Sequence, residues 1–453
     1  MSADADRAEF VLRERLGERV RFPEDPDYVS AVMPWNLAFP QRPFAVVVAE
    51  GEADVVDVVR AAAEAGLRVA PQSTGHGAGA LADSDLSTAI LLSLRRLRGV
   101  ALDPATRVAR VCGGSTWSEV VRAGAAHGLT ALHGSAGDVS VAGLALSGGL
   151  SFYARGEGLT VNSVRSVRVV CADGEVREAS SEVNPDLFWA LRGGSGGFGV
   201  VLSLDVEMFP VDEVFAGMLL WPAEAAATVA PAWAALTRAA PESVTTTLRI
   251  MHFPPLPDLP PFLAGRSVVV VDGVMREDPA RAEVLLEDLR RLSPEIDTFG
   301  MRSPAEVVDL HMDPPAPTPA VTAHRMLRSL PDDAVGRFVE VGATSPLFIL
   351  EARHVGGAAS RRAVGGGAVS ALRGEYMVLA IAVVPEPGSR ADAAEVVHGV
   401  ADGFDAWREE SSALTFIDGG VDPAAGFGDS IAALRDAKRR WDPHGLLLAA
   451  VPV

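Results

Sequence analysis

A glycine-rich loop with a single histidine, Ser73-Thr74-Gly75-His76-Gly77, constrains this chain more than any other stretch. The apolar run Leu67 to Ala70 predicts a strand that leads into the loop, and the segment before it, Asp54 to Gly66, has the apolar spacing of a helix. Gly75, Gly77 and Gly79 permit positive φ and close backbone approach, so several backbone N–H groups can face one anion. The loop therefore predicts a pyrophosphate site, with an ordinary strand–turn connection as the alternative.

Length, charge and cysteine content narrow the class of protein. The 453 residues favour two domains, and 40 basic against 59 acidic residues give a formal net charge of -19. Nucleic acids and anionic membranes require a basic surface, so neither is expected as a partner. The sequence contains no apolar run of membrane-spanning length, signal peptide, disulfide framework or metal-ligand spacing. These features predict a cytoplasmic protein without a metal.

Two further motifs match, or nearly match, the residue pattern of a known fingerprint but do not meet its other requirements. Gly194-x-Gly196-x-x-Gly199 fits the dinucleotide pattern, yet a predicted helix precedes it and a strand follows, the reverse of the required order. His133-Gly134-Ser135-Ala136-Gly137 resembles a nucleophile elbow, but its first position is histidine rather than glycine. Neither a Rossmann site nor a serine hydrolase is therefore expected.

From about residue 211, strand-like runs alternate with helix-like segments. This pattern is typical of an antiparallel sheet covered by helices on one face, an α+β arrangement. The predicted strands are Phe215 to Trp221, Thr246 to His252, Ser267 to Val274, Leu347 to Arg353 and Tyr376 to Val384. The predicted helices are Ala223 to Ala239, Pro279 to Leu292, Asp332 to Val341 and Arg390 to Glu410.

Taken together, the N-terminal motifs resemble the FAD-linked oxidases of the berberine bridge enzyme and 6-hydroxynicotine oxidase type, in the vanillyl-alcohol-oxidase superfamily. The residues that carry the resemblance are Trp35-Asn36, Ser73 to Gly77, Gly137 to Gly143, Ser147-Gly148-Gly149, Asp173-Gly174, Asp186 to Gly194 and, more weakly, Asp442 to Gly445. The resemblance implies a PCMH-type FAD-binding domain of two α+β subdomains. It would comprise residues 1–210 and 415–453, with a substrate domain, 211–414, inserted between them.

The resemblance also implies how FAD is held. His76 matches the family's histidine that is bonded to the 8α-methyl of the isoalloxazine, and a histidine that only hydrogen-bonds a phosphate is the alternative. Many plant-type relatives add a cysteine tether at the position of Ala136, so a single attachment is expected here. The residues expected to bind FAD are Gln72, Ser73, Thr74, Gly75, His76, Gly77, Ser135, Gly137, Asp138, Val139, Ser140, Gly143, Gly148 and Val200.

The activity implied is that of an FAD-dependent oxidoreductase, an oxidase in preference to a dehydrogenase. A hydride would pass from a C–H next to O or N of a small, secondary-metabolite-like molecule to flavin N5. Val139 matches a position that lines the approach of oxygen, which favours molecular oxygen as acceptor, and a core valine is the alternative. A dehydrogenase with another acceptor and a flavin-containing drug-binding or resistance protein stay open, as do the substrate and the oligomeric state.

Oxidation of an alcohol also needs a base for the hydroxyl proton. Leu379 occupies the position that often carries Gln, Glu or Tyr in the family, so that role does not transfer. Tyr376 and Glu351 are the candidates, because both lie on strands of the sheet expected to cover the flavin. Strand alternation puts Glu351 with Arg353 on one face and His354 on the other. The alternative is that Glu351 and Arg353 only pair with each other on the helix-covered side.

Overall fold

The computed structural model describes residues 3–257, 259–314, 316–418 and 424–453. Its main strands form three sheets, and a short ladder pairs Phe209–Pro210 with Leu129–Thr130. The helices, in chain order, are Ala3–Leu16, Tyr28–Val32, Glu52–Ala65, Trp117–Ala125, Val141–Ala145, Ala154–Glu157, Pro185–Leu191, Ala226–Ala239, Pro279–Arg290, Pro304–Val307, Asp332–Thr344, Arg390–Asp402, Ala424–Phe427 and Ile431–Trp441. Within these described ranges, no helix combines the length and the apolar character that crossing a bilayer requires.

The first sheet contains the unit predicted around the histidine loop. Helix Glu52–Ala65 buries one apolar stripe and ends at Gly66, whose φ of 70° is the left-handed conformation that favours glycine. The strand that follows, Arg68–Gln72, lies parallel to a completely buried central strand. The sheet order is Val20–Arg21, Ala45–Val48, Ala89–Ser93 and Arg68–Gln72. The histidine loop therefore begins at the carboxyl end of an edge strand.

The second sheet is antiparallel and supports the second glycine-rich region. Its order is Val100–Asp103, Val108–Cys112, Val200–Glu207, Val164–Val170 and Val176–Ser180. Helix Trp117–Ala125 starts with a capping box between Thr116 and Glu119 and buries Trp117 in the adjoining core. The second loop then enters helix Val141–Ala145, where the Ser140 side chain accepts a hydrogen bond from the Gly143 N–H. These contacts hold the loop against the sheet.

The third sheet has eight antiparallel strands and lies between two layers. Its order is Ile296–Asp297, Val214–Pro222, Ser267–Met275, Val244–His252, Ile349–His354, Tyr376–Val383 and Ala320–Leu327, and Gly300–Arg302 also pairs with Val214–Pro222. One face packs against helices through a core that includes Trp233 and Phe338. The opposite face contributes Met377 and Leu379 to the core of the second sheet. The α+β class, with helices on one face of the antiparallel sheet, is confirmed.

The C-terminal tail returns to the first sheet. Lys438 Nζ donates hydrogen bonds to the carbonyl of Gly197 at 2.6 Å and to Asp442 Oδ2 at 2.7 Å. The N–H groups of Val69 and Leu448 then pair with the carbonyls of Leu446 and Val69. The tail thus packs on elements from the first 210 residues. The division at residues 210 and 414 stays a prediction from the resemblance.

Candidate cofactor and substrate site

A cavity with about 1580 Å³ of empty space, partly open to solvent, lies where the two glycine-rich loops meet the third sheet. It is lined by parts of 71–81, 134–150, 195–201, 414–417 and 448–451, together with Leu94 and Arg353. Among the residues expected to bind FAD, the lining includes Gln72, Ser73, Thr74, Gly75, His76, Gly77, Ser135, Val139, Ser140 and Gly143. Ala136, at the position of the second tether in plant-type relatives, also lines the cavity.

The first loop presents unpaired backbone donors. The N–H groups of Thr74, Gly75, His76 and Gly77 donate no hydrogen bond to any residue that the structure describes. Gly75 has φ 82°, and a Cβ there would lie 2.7 Å from the Cα of Pro34, so this position requires glycine. Gly77 has φ −85°, and Gly79 also lacks a positive φ, so neither adopts the left-handed conformation that glycine permits. At Gly79 glycine is needed because a Cβ would collide with the Asp418 carboxylate.

His76 is held from three sides. Its Nδ1 lies 2.8 Å from Thr74 Oγ1, and its ring stacks on the Trp35 indole with centroids 4.3 Å apart. Its Nε2 is buried, makes no hydrogen bond to a described residue and lies 3.4 Å from Asp138 Oδ1. Trp35 Nε1 donates a 2.7 Å hydrogen bond to Asp138 Oδ2. The imidazole is therefore oriented, and one of its nitrogens remains without a hydrogen bond.

Asp138 carries a negative charge beside this ring. Burial opposes its ionisation, but the interaction with His76 and the hydrogen bond from Trp35 outweigh burial and lower the pKa of the carboxyl. Asp138 does not line the main cavity. It lines a smaller neighbouring cavity together with Trp35, Arg95 and Arg98. Asp138 thus contacts the edge of the His76 imidazole from outside the main cavity.

Three other residues expected to bind FAD also lie outside the lining of the main cavity. The Gly137 carbonyl accepts a hydrogen bond from the Ser118 N–H, and the Gly148 carbonyl accepts one from the Val161 N–H, both at 2.8 Å. Val200 points into the core of the first sheet, whereas Val201 lines the cavity, because successive strand residues face opposite sides. These positions shape the loops and the strand rather than the cavity wall.

Several lining residues have no counterpart in the sequence-based prediction. They include Ala80, Leu81, Leu144, Ser147, Ser195, Arg353, Leu414, Phe416, Ile417, Leu448 and Val451. Ser147 and Ser195 belong to glycine-rich motifs quoted above, and their hydroxyls lie 3.1 Å apart. The segment from Leu414 to Ile417 carries no motif, so nothing in its local pattern could have identified it.

Tyr376 does not reach the cavity, so its candidacy as a base was wrong. Its hydroxyl lies 2.9 Å from Thr237 Oγ1 on the helix-covered face of the sheet. Its ring stacks on His354 and meets Trp233 edge-on. The reason is the register, because Tyr376 pairs directly with His354 and cross-strand partners share a face.

Glu351 lies on the other face, toward the cavity. It pairs with Arg353, whose Nε donates a hydrogen bond to Glu351 Oε1 at 2.6 Å. The expected pairing therefore exists, but the prediction that it lies on the helix-covered face was wrong. Its second oxygen lies 3.1 Å from His311 Nε2. Burial opposes ionisation, but Arg353 and His311 outweigh it and hold the pKa of Glu351 well below its usual range. A carboxylate so stabilised is a weak proton acceptor.

The buried charges continue beyond Glu351. His311 Nδ1 lies 2.9 Å from Asp272 Oδ2, and Asp272 also pairs with Arg249 and accepts from Thr247. Burial and Arg249 lower the pKa of His311, but Asp272 and Glu351 outweigh them and raise it to about 9. Within the described ranges, no group of three or more potential metal ligands is placed to hold an ion.

Comparison with known proteins identifies the class of this site. Residues 43–180, which contain both glycine-rich loops, match the family described as the FAD binding domain. (R)-6-hydroxynicotine oxidase from Paenarthrobacter nicotinovorans is 32% identical over 203 residues, 45% of this chain and 44% of that protein. Xylooligosaccharide oxidase from Thermothelomyces thermophilus is 33% identical over 184 residues, 40% of this chain and 37% of that protein. Each match spans less than half the length of the relative. The fold and the site therefore define a flavoprotein that binds FAD.

Solved structures resemble the chain over nearly its whole length. BBE-like 1 from Physcomitrella patens superimposes with a TM-score of 0.83, covers 98% of each chain and is 18% identical. The 6-hydroxy-D-nicotine oxidase from Arthrobacter nicotinovorans has a TM-score of 0.79, covers 94% of this chain and 95% of its own, and is 22% identical. At these identities the likeness concerns the fold. Residues 43–180 thus match an FAD binding domain, and the whole chain has the fold of the berberine bridge enzyme-like and 6-hydroxynicotine oxidase structures, in agreement with the resemblance of its motifs.

Proposed function

We propose that this protein is an FAD-dependent oxidase that takes a hydride from a C–H next to nitrogen or oxygen of a small organic molecule. The observation that carries the proposal is the His76 loop. It joins four backbone N–H groups, which donate to no described residue, to an oriented imidazole on the wall of one cavity. A pyrophosphate and an electrophilic ring carbon are the two ligands that these groups suit.

The residues present fit FAD, and each loop has a part in holding it. The N–H groups of Thr74 to Gly77 and those of Ser135 and Ala136, which also donate to no described residue, would bind pyrophosphate oxygens. His76 would attach the isoalloxazine, and Ala136 leaves no second tether. Bound FAD supplies the two-electron acceptor for the substrate hydride. A single covalent bond from His76 would fix the ring relative to the substrate.

The acceptor we propose is molecular oxygen. Val139 lines the cavity with a small apolar side chain and packs against the core of the second sheet. A bulkier residue there would narrow the space beside the flavin. Val139→Leu should therefore slow reoxidation of the reduced flavin in air, while anaerobic reduction by substrate keeps its rate.

Neither predicted base is placed to accept a proton from a substrate hydroxyl, and this favours one kind of C–H bond over another. Tyr376 lies on the far face, and Glu351 is engaged by Arg353 and His311. The described residues that line the cavity include no Asp, Glu or Tyr to accept a hydroxyl proton. A neutral amine can lose a hydride without such a base, so a C–H next to nitrogen is the preferred site of oxidation. The sequence match to (R)-6-hydroxynicotine oxidase supports this preference.

The test begins with the protein purified after expression with ample riboflavin. We expect flavin fluorescence that persists in the denatured polypeptide and disappears in His76→Ala, and the mass of one FAD on the His76 peptide. Amines should then bleach the flavin anaerobically and release hydrogen peroxide in air. Bleaching without peroxide would indicate a dehydrogenase, and binding without bleaching would indicate a binding protein. A colourless protein would overturn the proposal.

A further inference from the structure

Arg353 is the one residue with a permanent charge among the described residues that line the cavity. It is 7% exposed and stands on Ile349–His354, near the middle of the third sheet. The other lining residues are mostly Gly, Ala, Ser, Leu and Val. Placing a guanidinium in such surroundings costs free energy unless its donors are paired.

The pairing of Arg353 is incomplete. Its Nε donates to Glu351, but no described residue accepts a hydrogen bond from either of its Nη atoms. The Phe416 ring lies 5.4 Å from its Cζ, a cation–π contact that positions the group without satisfying its donors. Two N–H groups side by side on a planar guanidinium match the two oxygens of a carboxylate.

The buried network behind Arg353 holds it in this position. Arg353 lies directly across from Thr247, and Glu351 across from Arg249, so the polar groups form two adjacent cross-strand rows on one face. Glu351 bonds Arg353 on one side and His311 on the other, and Asp272 holds the far side of His311. Arg353 is thus fixed by a chain of hydrogen bonds rather than free to swing.

The positive and negative charges of this network are nearly balanced. Arg249, Arg353 and protonated His311 contribute three positive charges, and Asp272 and Glu351 contribute two negative charges. Asp313, half-buried and two residues beyond His311, adds a negative charge that acts on both His311 and Arg353, although no ion pair among the described residues joins it to the five groups. The two Nη atoms of Arg353 therefore lack an anionic partner of their own among the described residues, and an anion in the cavity would supply one.

Building on the proposed function, we infer that the substrate carries a carboxylate and that Arg353 binds it through its two Nη atoms. Glu351 and His311 are positioning residues for this arginine. The carbonyl oxygens on the pyrimidine edge of the flavin could also accept hydrogen bonds from Arg353. The experiment must therefore distinguish binding of a substrate carboxylate from contact with the flavin. The inference specifies which oxidisable amines fit the cavity, namely those that also bear an acid group.

The test compares benzoate with benzamide, which have nearly the same shape but differ in charge. Each is titrated into the purified protein by calorimetry, and the flavin absorbance is followed in parallel. We expect benzoate to bind at least about tenfold more tightly than benzamide, because hydrogen bonds to a charged group contribute about 1.5–3 kcal/mol. Equal affinities would overturn the inference without any variant.

Variants then assign the effect to Arg353. Arg353→Met should lose the preference for benzoate while benzamide affinity stays unchanged. Because that change leaves Glu351 buried without its partner, the double variant Glu351→Gln/Arg353→Met removes both members and should show the same loss. An unchanged benzoate preference would overturn the inference. The inference would also be overturned if the variants lowered only the affinity of the flavin for sulfite and left benzoate binding unchanged. Arg353 would then contact the edge of the flavin and not the substrate.

The outcomes for the two proposals are separable. A colourless protein that binds benzoate through Arg353 would refute the proposed oxidase and keep the carboxylate site. A flavin-loaded protein that binds both probes equally would refute the carboxylate site and keep the oxidase.

Discussion

The Trp35 indole lies parallel to the His76 imidazole, with ring centroids 4.3 Å apart and planes inclined by 17°. The same indole donates its N–H to Asp138, whose other oxygen is 3.4 Å from His76 Nε2. One tryptophan thus fixes both the plane of the imidazole and the carboxylate at its edge. The carboxylate lies at the Nε2 edge of the ring, while Nδ1 lies beside the Thr74 hydroxyl.

Asp138→Asn should slow covalent attachment of FAD by about tenfold or more, because the carboxylate 3.4 Å from Nε2 stabilises the positive charge that the imidazole gains when it bonds to the flavin. The measurement is the fraction of polypeptide whose flavin survives denaturation, followed over time after adding FAD to apoprotein. Asparagine can still accept the Trp35 hydrogen bond, so the loop should stay folded. Attachment at the wild-type rate would contradict the assigned role of Asp138.

Gly75→Ala should impair FAD binding and lower the free energy of unfolding by roughly 1–3 kcal/mol. An alanine would be strained at φ 82°, and its Cβ would press on Pro34. Gly77→Ala is the matched control, since φ there is −85° and no described residue apart from its chain neighbours lies within 4 Å of the added Cβ. Thermal unfolding of both apoproteins and FAD titrations would show the contrast. Equal stabilities would mean that the loop relaxes freely at residue 75.

Tyr376→Phe should leave the rate of flavin reduction within about twofold of wild type. Its hydroxyl contacts Thr237 on the helix-covered face, so its loss should instead reduce the free energy of unfolding by about 0.5–1.5 kcal/mol. Stopped-flow reduction and thermal unfolding measure the two effects. A large loss of reduction rate at unchanged stability would restore Tyr376 as a catalytic candidate.

Stability should fall as the pH rises through the titration of His311. Asp272 and Glu351 raise its folded-state pKa to about 9, above the usual value of 6.5. Its contribution is therefore fully present below about pH 6.5 and is lost as the pH approaches 9, a decrease of roughly 1–3 kcal/mol. Denaturant unfolding of the wild type and of His311→Asn between pH 6 and 9.5 measures this. The variant should show a flatter profile, and parallel profiles would contradict the raised pKa.

Local patterns were enough to predict much of the fold. The helix before the loop runs from Glu52 to Ala65 against the expected Asp54 to Gly66, and the strand that follows it was also identified. Such elements depend on residues close in the chain, through the 3.6-residue and two-residue periods and through Gly66 as helix terminator. The motifs likewise placed ten of the fourteen residues expected to bind FAD on the cavity wall.

The sequence by itself determined which side chains share a strand face, since alternation depends only on the backbone: Glu351 with Arg353, and His354 opposite. Only the tertiary structure decided which face meets the cavity, because that depends on which layer packs on each side of the sheet. It also brought Trp35 onto His76 and His311 between Asp272 and Glu351, across separations that no local period encodes. For this reason Arg353, and not the predicted Tyr376, lines the cavity. The Tyr376 side chain lies on the opposite face of the sheet, against the helices.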